Sequence, residues 1–251
     1  MGWSHFPSPA LADPHPTPDT CLPRPRPSAW PTTVSDAVAL QKTLRSRLLL
    51  QPPPGFVPRL VGGADISLAR GSDTAYAGIV VIDAATMETV ASASGASAVR
   101  FPYIPGLLSF RELPALERVW ASLATLPDVL VFDGQGYAHP RRFGLACHGG
   151  VAFGVPSIGC AKTILVGAHD PLPPERCARA PLVHRGEVVG AAIRLRDNVA
   201  PVFVSAGHMM DVETAVRVVL AVSAGFREPE TTRRAHRLVN VARRSADSAR
   251  A

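Results

Sequence analysis

The sequence predicts an α/β fold whose functional residues sit where strands run into loops. Val129-Leu130-Val131-Phe132 is a short apolar run bounded by Pro127-Asp128 and Gly134, so it reads as a buried strand, and it ends on Asp133. A second apolar run, 155–161, ends on Lys162. Strand-like segments between 60 and 99 precede these runs, and stretches of helical periodicity lie around them. Strands fix a residue and loops expose it, which is where α/β folds place their chemistry.

The bulk properties narrow the field. A chain of 251 residues with 47% apolar content can bury the core of one domain, expected over 34–240. The formal net charge of +6 and pI of about 9.7 come almost wholly from arginine and fit a polyanionic partner. Cys21, Cys147, Cys160 and Cys177 show no paired spacing, so neither a zinc site nor a disulfide framework is indicated and a reducing cytoplasm is the expected location. No run approaches the ~20 apolar residues of a membrane span, so no membrane partner is expected.

Taken in order, residues 1–31 hold nine prolines among Ser, Thr, His and Arg. Such a stretch supports neither helix nor ladder, so 1–33 is expected to be a disordered or extended tail; it also lacks the apolar core of a signal peptide. Residues 33–50 read as a helix capped by Ser35, with Val38, Leu40, Leu44, Leu48 and Leu49 inward and Lys42, Arg45 and Arg47 outward. Strands follow at 60–68, 75–83 and 86–99, an antiparallel meander. Asp65 lies inside the first, and a carboxylate in an apolar strand needs a partner such as a metal ion. Pro102 and Pro105 bracket Tyr103-Ile104 in a stiff loop, either a tyrosine packed on the core or an apolar wedge able to enter a base stack. Ser109 and Glu112 have capping-box spacing at the start of a helix through Leu113, Leu116, Val119, Trp120 and Leu123, which gives Glu112 a structural explanation.

Asp133 precedes Gly134, a common turn pair, and His139 precedes Pro140, so each has a plain loop reading beside a chemical one. Lys162 is harder to assign to structure alone. The chain has only two lysines, Lys42 and Lys162, and uses arginine elsewhere, so a lysine here suggests a compact point charge. Residues 142–153 read as a helix, 168–180 as a Pro-rich surface loop, and 183–185 with 187–195 as a hairpin turning at Gly186. A strand at 201–205 leads through Gly207-His208 into a helix at 211–224. Arg233, Arg234, Arg237, Arg243 and Arg244 form a basic C-terminal region, a solvated helix face or a phosphate contact, with 241–251 as a basic tail.

Together Asp65, Glu112 and Asp133 bring three carboxylates from separate elements, a donor set suited to Mg²⁺. Such a site activates water and stabilises a leaving oxygen, and a nearby Lys162, His139 or His208 would neutralise charge on a phosphate.

Two long stretches resemble endonuclease V: Pro102-Tyr103-Ile104-Pro105-Gly106-Leu107-Leu108-Ser109-Phe110-Arg111-Glu112 and Asp133-Gly134-Gln135-Gly136-Tyr137-Ala138-His139-Pro140-Arg141-Arg142. Ile158-Gly159-Cys160-Ala161-Lys162, Gly207-His208 and Gly63-Ala64-Asp65 agree with the same family, over roughly 35–234. The resemblance implies a ribonuclease H-like fold with a mixed central sheet flanked by helices. It implies a deoxyinosine endonuclease of DNA repair that recognises hypoxanthine and cuts the second phosphodiester bond 3′ to it, leaving a 3′-hydroxyl and a 5′-phosphate. Mg²⁺ is the implied cofactor, with Mn²⁺ able to substitute, and damaged DNA the implied partner.

By the same resemblance, Asp65 and Asp133 match metal-binding aspartates, Glu112 a catalytic glutamate and His208 a further active-site histidine. His139 and Lys162 match residues near the scissile phosphate. Pro102, Tyr103, Ile104 and Pro105 match a strand-separating wedge, and Gly106, Leu108 and Gly134 fall where backbone lines the lesion pocket. The chain departs from the family where Gln135 replaces a usual histidine and where Met209 and Met210 follow His208. The alternatives are an inosine-specific ribonuclease of the same fold, since the residues do not separate RNA from DNA, and a catalytically weakened inosine-binding protein. A monomer is expected.

Overall fold

The computed structural model describes residues 30–68 and 73–248. The expected tail before residue 30 lies outside them. Helix α1 (Val34–Arg45) leads into the meander β1 (Leu60–Leu68), β2 (Thr74–Asp83) and β3 (Thr89–Ala98). Helix α2 (Leu108–Ala121), β4 (Val129–Phe132), α3 (Leu145–Phe153) and β5 (Ser157–Ala161) follow. The chain closes with β6 (Arg179–His184), β7 (Glu187–Ile193), β8 (Val202–Ala206), α4 (Val212–Ala221) and α5 (Glu230–Ser248).

The strands make one mixed sheet in the order β3-β2-β1-β4-β5-β8-β7-β6. β1 and β2 pair antiparallel, β4 runs parallel to β1, and β5 runs parallel to β4. This is the ribonuclease H-like arrangement that the sequence motifs imply. Neighbouring residues of β2 and β4 separate cleanly onto two faces. Val80, Ile82, Val129 and Val131 pack with α4 through Val216 and Val219 and with α5 through Ala235. Ile79, Val81, Leu130 and Phe132 pack with α2 and α3 through Leu116, Trp120 and Phe153. A strand buried on both faces has no polar alternation, which is why β2 and β4 read as continuous apolar runs. Among the described residues no helix is long and apolar enough to cross a membrane.

Several boundaries differ from the sequence reading, each for a local reason. Thr33, not Ser35, caps α1: its hydroxyl accepts from the Asp36 amide at 3.1 Å. The third strand starts at Thr89 because Asp83 draws the amides of Ala85 and Thr86 into a turn. Ser109 lies inside α2, and its hydroxyl meets His148 Nδ1 at 3.0 Å, so no capping box forms and Glu112 is released from that role. Helix α3 begins at Leu145 because Arg142 takes a positive φ of 56°. Residues 241–248, set apart as a tail, continue α5.

Helix α5 lies against the sheet at glycine positions. A Cβ on Gly63 would stand 2.2 Å from the backbone of Thr231, and one on Gly78 would stand 2.7 Å from the Val239 side chain. Gly63 is the tighter of the two because backbone cannot swing aside. Gly63→Ala is therefore expected to lower stability by about 1–3 kcal/mol, as overpacking does. Urea unfolding checks this, and an unchanged midpoint would show that α5 does not press on β1.

Candidate active site

The parallel pairing of β1 with β4 sets two carboxylates side by side. Ala64 is in register with Phe132, and the Asp133 amide donates to the Ala64 carbonyl at 3.2 Å, so Asp65 and Asp133 leave the same end of adjacent strands. Glu112, one turn into α2, joins them from the side: its carboxyl feels the charges of Asp65 and Asp133, and Asp65 feels that of Asp133. The three sequence-predicted acids thus converge.

Their electrostatics follow from burial. The Glu112 carboxyl is pushed up to about 8 by burial first, then by the charges of Asp65 and Asp133. Among the described residues no hydrogen bond reaches it. Asp65, buried at 7% exposure, is also raised, by burial and then by Asp133, against the opposing pull of His236. Asp133 shares a cation: Lys162 Nζ donates to its Oδ2 at 2.6 Å and to Glu228 Oε2 at 3.0 Å. Burial alone would lower the Lys162 ammonium, but these two carboxylates outweigh it and hold it above its ordinary range. The Arg227 guanidinium donates to the Lys162 carbonyl at 2.8 Å, which fixes the backbone of that lysine.

The imidazole that joins the cluster is His236, not His208. His236 Nδ1–H donates to Asp65 Oδ2 at 2.9 Å, and Asn240 Nδ2 donates to His236 Nε2 at 2.9 Å. His208 sits elsewhere: its amide donates to Ser157 Oγ at 2.8 Å and its Nδ1 accepts from the Leu49 amide at 3.3 Å. Sequence reasoning missed His236 because it stands among arginines in a helix that looks solvated. The available signal is slight: Ala235 and Val239 mark the buried stripe, and His236 lies on its flank.

Beside the carboxylates lies a cavity of about 350 Å³, at the small end of the roughly 300–1,000 Å³ range of ligand sites. Asp133 and Lys162 form its polar wall, and Tyr103, Ile104, Pro105, Gly106, Leu108, Gly134, Ile164 and Leu165 are among the residues that line it. Pro102 is exposed at the loop tip, outside that lining, and Tyr103 stands 68% exposed. The floor depends on close backbone contact. A Cβ on Gly159 would meet the Gly136 nitrogen at 2.3 Å, so the loop after Asp133 lies directly on β5. The amides of Gly136 and Tyr137 then reach across to Ser205 and Ala206 of β8, at 2.9 and 2.7 Å.

Two residues of that loop have fixed duties. Gln135 Nε2 donates to the Thr163 carbonyl at 2.7 Å, so it ties the two loops of the site together. His139, 2% exposed, donates from Nε2 to the Gly106 carbonyl at 3.0 Å and accepts the Arg141 amide at Nδ1. Burial and then the Arg141 charge push its pKa down to about 4, so it is neutral near pH 7 and holds the base of the Pro102-to-Pro105 loop.

The donor set fits a hard divalent cation: three carboxylate oxygens, one of them without a hydrogen-bond donor, repel one another with only partial compensation. Among the described residues no three His, Cys, Asp or Glu side chains stand close enough together to hold a metal ion as they are placed.

Comparison with known proteins adds sequence and structural kinship. A family model for Endonuclease V matches residues 42–237. The Endonuclease V of Myxococcus xanthus is 57% identical over 222 residues, covering 88% of this chain and 94% of that protein. The crystal structure of Endonuclease V from Streptomyces avermitilis superposes with a TM-score of 0.82 at 43% identity, covering 88% of this chain and 97% of that one. A Ciona intestinalis Endonuclease V crystallised with a 23mer DNA containing an inosine followed by a ribo-adenosine shares the fold, with a TM-score of 0.75 at 24% identity over 85% of this chain and 98% of that one.

The Glu112 carboxyl generates a pH prediction for chelator-treated protein. Its folded value of about 8 lies above its ordinary 4.5, so the folded state binds the proton more tightly and stability falls as pH rises between those values. Glu112→Gln removes that penalty. The variant is expected to match wild type near pH 4 and to melt higher at pH 8.5, with a difference on the order of a few kcal/mol. Equal melting at both pH values would show that Glu112 does not carry a buried charge.

Proposed function

The chain belongs to the endonuclease V family, and from that premise we propose that it is a divalent-metal-dependent endonuclease that recognises hypoxanthine in DNA and hydrolyses the second phosphodiester bond on its 3′ side. The observation that carries this reading is the shared position of Asp133, which belongs both to the carboxylate cluster and to the wall of a base-sized cavity. The inosine-containing DNA bound by the Ciona relative lends support at the level of substrate class.

Each residue has a role in this reading. The exposed Tyr103, stiffened by Pro102 and Pro105, enters the base stack and holds the strands apart. The extruded base, which must leave the stack at a cost of about a few kcal/mol, enters the cavity against Gly106, Leu108 and Gly134. Backbone groups there read the hypoxanthine oxygen, and a donor left facing the amino group of adenine would be unpaired. Asp65, Glu112 and Asp133 would hold Mg²⁺ or Mn²⁺, which when bound supplies Lewis-acid stabilisation of the phosphate and an activated water. His236 Nδ1–H keeps Asp65 oriented, and Lys162 Nζ offers a fixed positive charge to the phosphate oxygens. Water adds to phosphorus as the bond to the 3′ oxygen breaks, leaving a 3′-hydroxyl and a 5′-phosphate. An inosine-specific ribonuclease activity would use the same site, and the test includes it.

A labelled duplex with one hypoxanthine, incubated with Mg²⁺, is expected to be cut one nucleotide 3′ of the lesion, while an undamaged duplex is not. Asp133→Ala should lose more than the roughly 10–100-fold that outer-sphere partners of a metal contribute. Added Mg²⁺ should also raise the melting midpoint of wild type more than that of Asp133→Ala, a readout independent of turnover. Absence of cutting with either Mg²⁺ or Mn²⁺ would overturn the DNA reading. Cutting of the matching inosine RNA alone would transfer the activity to RNA.

A further inference from the structure

The carbonyl of Gly106, at the base of the Pro102-to-Pro105 loop, is held by three side chains at once. Gln41 Nε2 donates to it at 3.2 Å, His139 Nε2 at 3.0 Å and Arg141 Nη2 at 2.7 Å. Gln41 stands at the centre of this cluster. Its amide nitrogen also donates to the Phe143 carbonyl at 2.6 Å, and its amide oxygen accepts from Arg141 Nε. One side chain from α1 therefore ties the wedge loop to the segment that follows Asp133. Gln41 is 1% exposed, and a polar group so enclosed stays only where its bonds are made.

Packing points the same way. Ala37 of α1 is buried against Phe101, Leu107 and Phe110, with Val38, Leu40 and Ile104 closing over them, so α1 is the floor on which the loop rests. Arg111 Nη1 fixes the other end of the loop through the Phe101 carbonyl at 3.0 Å. Gly106 adopts a φ of 79°, and a Cβ there would stand 2.9 Å from Arg141 Nη2, so the clamp also requires glycine at this position. The loop is thus gripped at its base and free at its tip, as a rigid wedge requires.

We propose that Gln41 is a positioning residue for strand separation, acting through Gly106 to hold the wedge against the force of a closing duplex. This inference rests on the endonuclease reading above. A wedge matters only when there is a second strand to displace, so the prediction separates by substrate. Gln41→Leu keeps the volume of the side chain and removes its hydrogen bonds; Gln41→Glu keeps the contact to Arg141 and removes the donors to Gly106 and Phe143. Both variants are expected to keep a larger share of the wild-type rate on single-stranded inosine DNA than on duplex. Duplex cutting should fall by about tenfold or more, the scale of leaving buried carbonyls without their donors.

A 2-aminopurine placed opposite the lesion reports unstacking without chemistry and should brighten less with either variant than with wild type. Equal loss on both substrates would reduce Gln41 to a fold-stabilising residue, and no loss would remove its role; either overturns the proposal. Failure of the parent reading looks different: wild type itself cuts neither inosine substrate, and the fluorescence change then decides the role of Gln41 alone. Should Gln41→Leu fail to fold, Gln41→Glu carries the same comparison.

Discussion

Two aspartates forced together by strand pairing set the terms for the whole molecule. The hydrogen bond from the Asp133 amide to the Ala64 carbonyl belongs to the β1–β4 pairing, so the neighbouring acids cannot separate without unzipping the middle of the sheet. Glu112 adds a third acid under cover of α2. Like charges in a poorly hydrated place are expensive, and the surrounding architecture is largely an answer to that expense. Lys162 arrives from β5, His236 from α5, and Glu228 and Arg227 keep Lys162 in place. The sheet core supplies the rigidity that makes such crowding tolerable.

Glycine is the second recurring device. Gly63 lets α5 come down onto β1, and Gly159 lets the loop after Asp133 lie on β5. Both bring a functional group closer than a Cβ would permit: His236 to Asp65 in the first case, the cavity floor to Asp133 in the second. The backbone contacts to Ser205 and Ala206 then convert that loop from a flexible connector into a fixed wall.

Much of this was readable from the residues. The first strand ends where the apolar pattern ends, at Leu60–Leu68, and Asp133 and Lys162 stand just past β4 and β5 because buried strands announce themselves by uninterrupted apolar runs. Tyr103, Ile104 and Pro105 of the proline-bracketed loop line the cavity beside Asp133. What could not be read were relations between distant segments. Ser109 and Glu112 have the spacing of a cap, but His148, thirty-nine positions away, claims the serine. His236 belongs to a helix crowded with arginines, and nothing local shows that its face of Ala235, Leu238 and Val239 lies on the sheet beside Asp65. Gln41 has no local signal either, since nothing near it in the chain shows that Gly106 and Phe143 will meet it.

The order of the chain has its own consequence. The three acids lie at positions 65, 112 and 133, whereas the side chains that bond to them lie at 162 and 236. During synthesis the three acids emerge before Lys162 and His236, the side chains that bond to them. A nascent chain lacking α5 holds an unbalanced cluster and an uncovered face on β1 and β2. The His236 contact to Asp65 comes from α5, so the centre stays incomplete until that helix has been synthesised and has docked on β1.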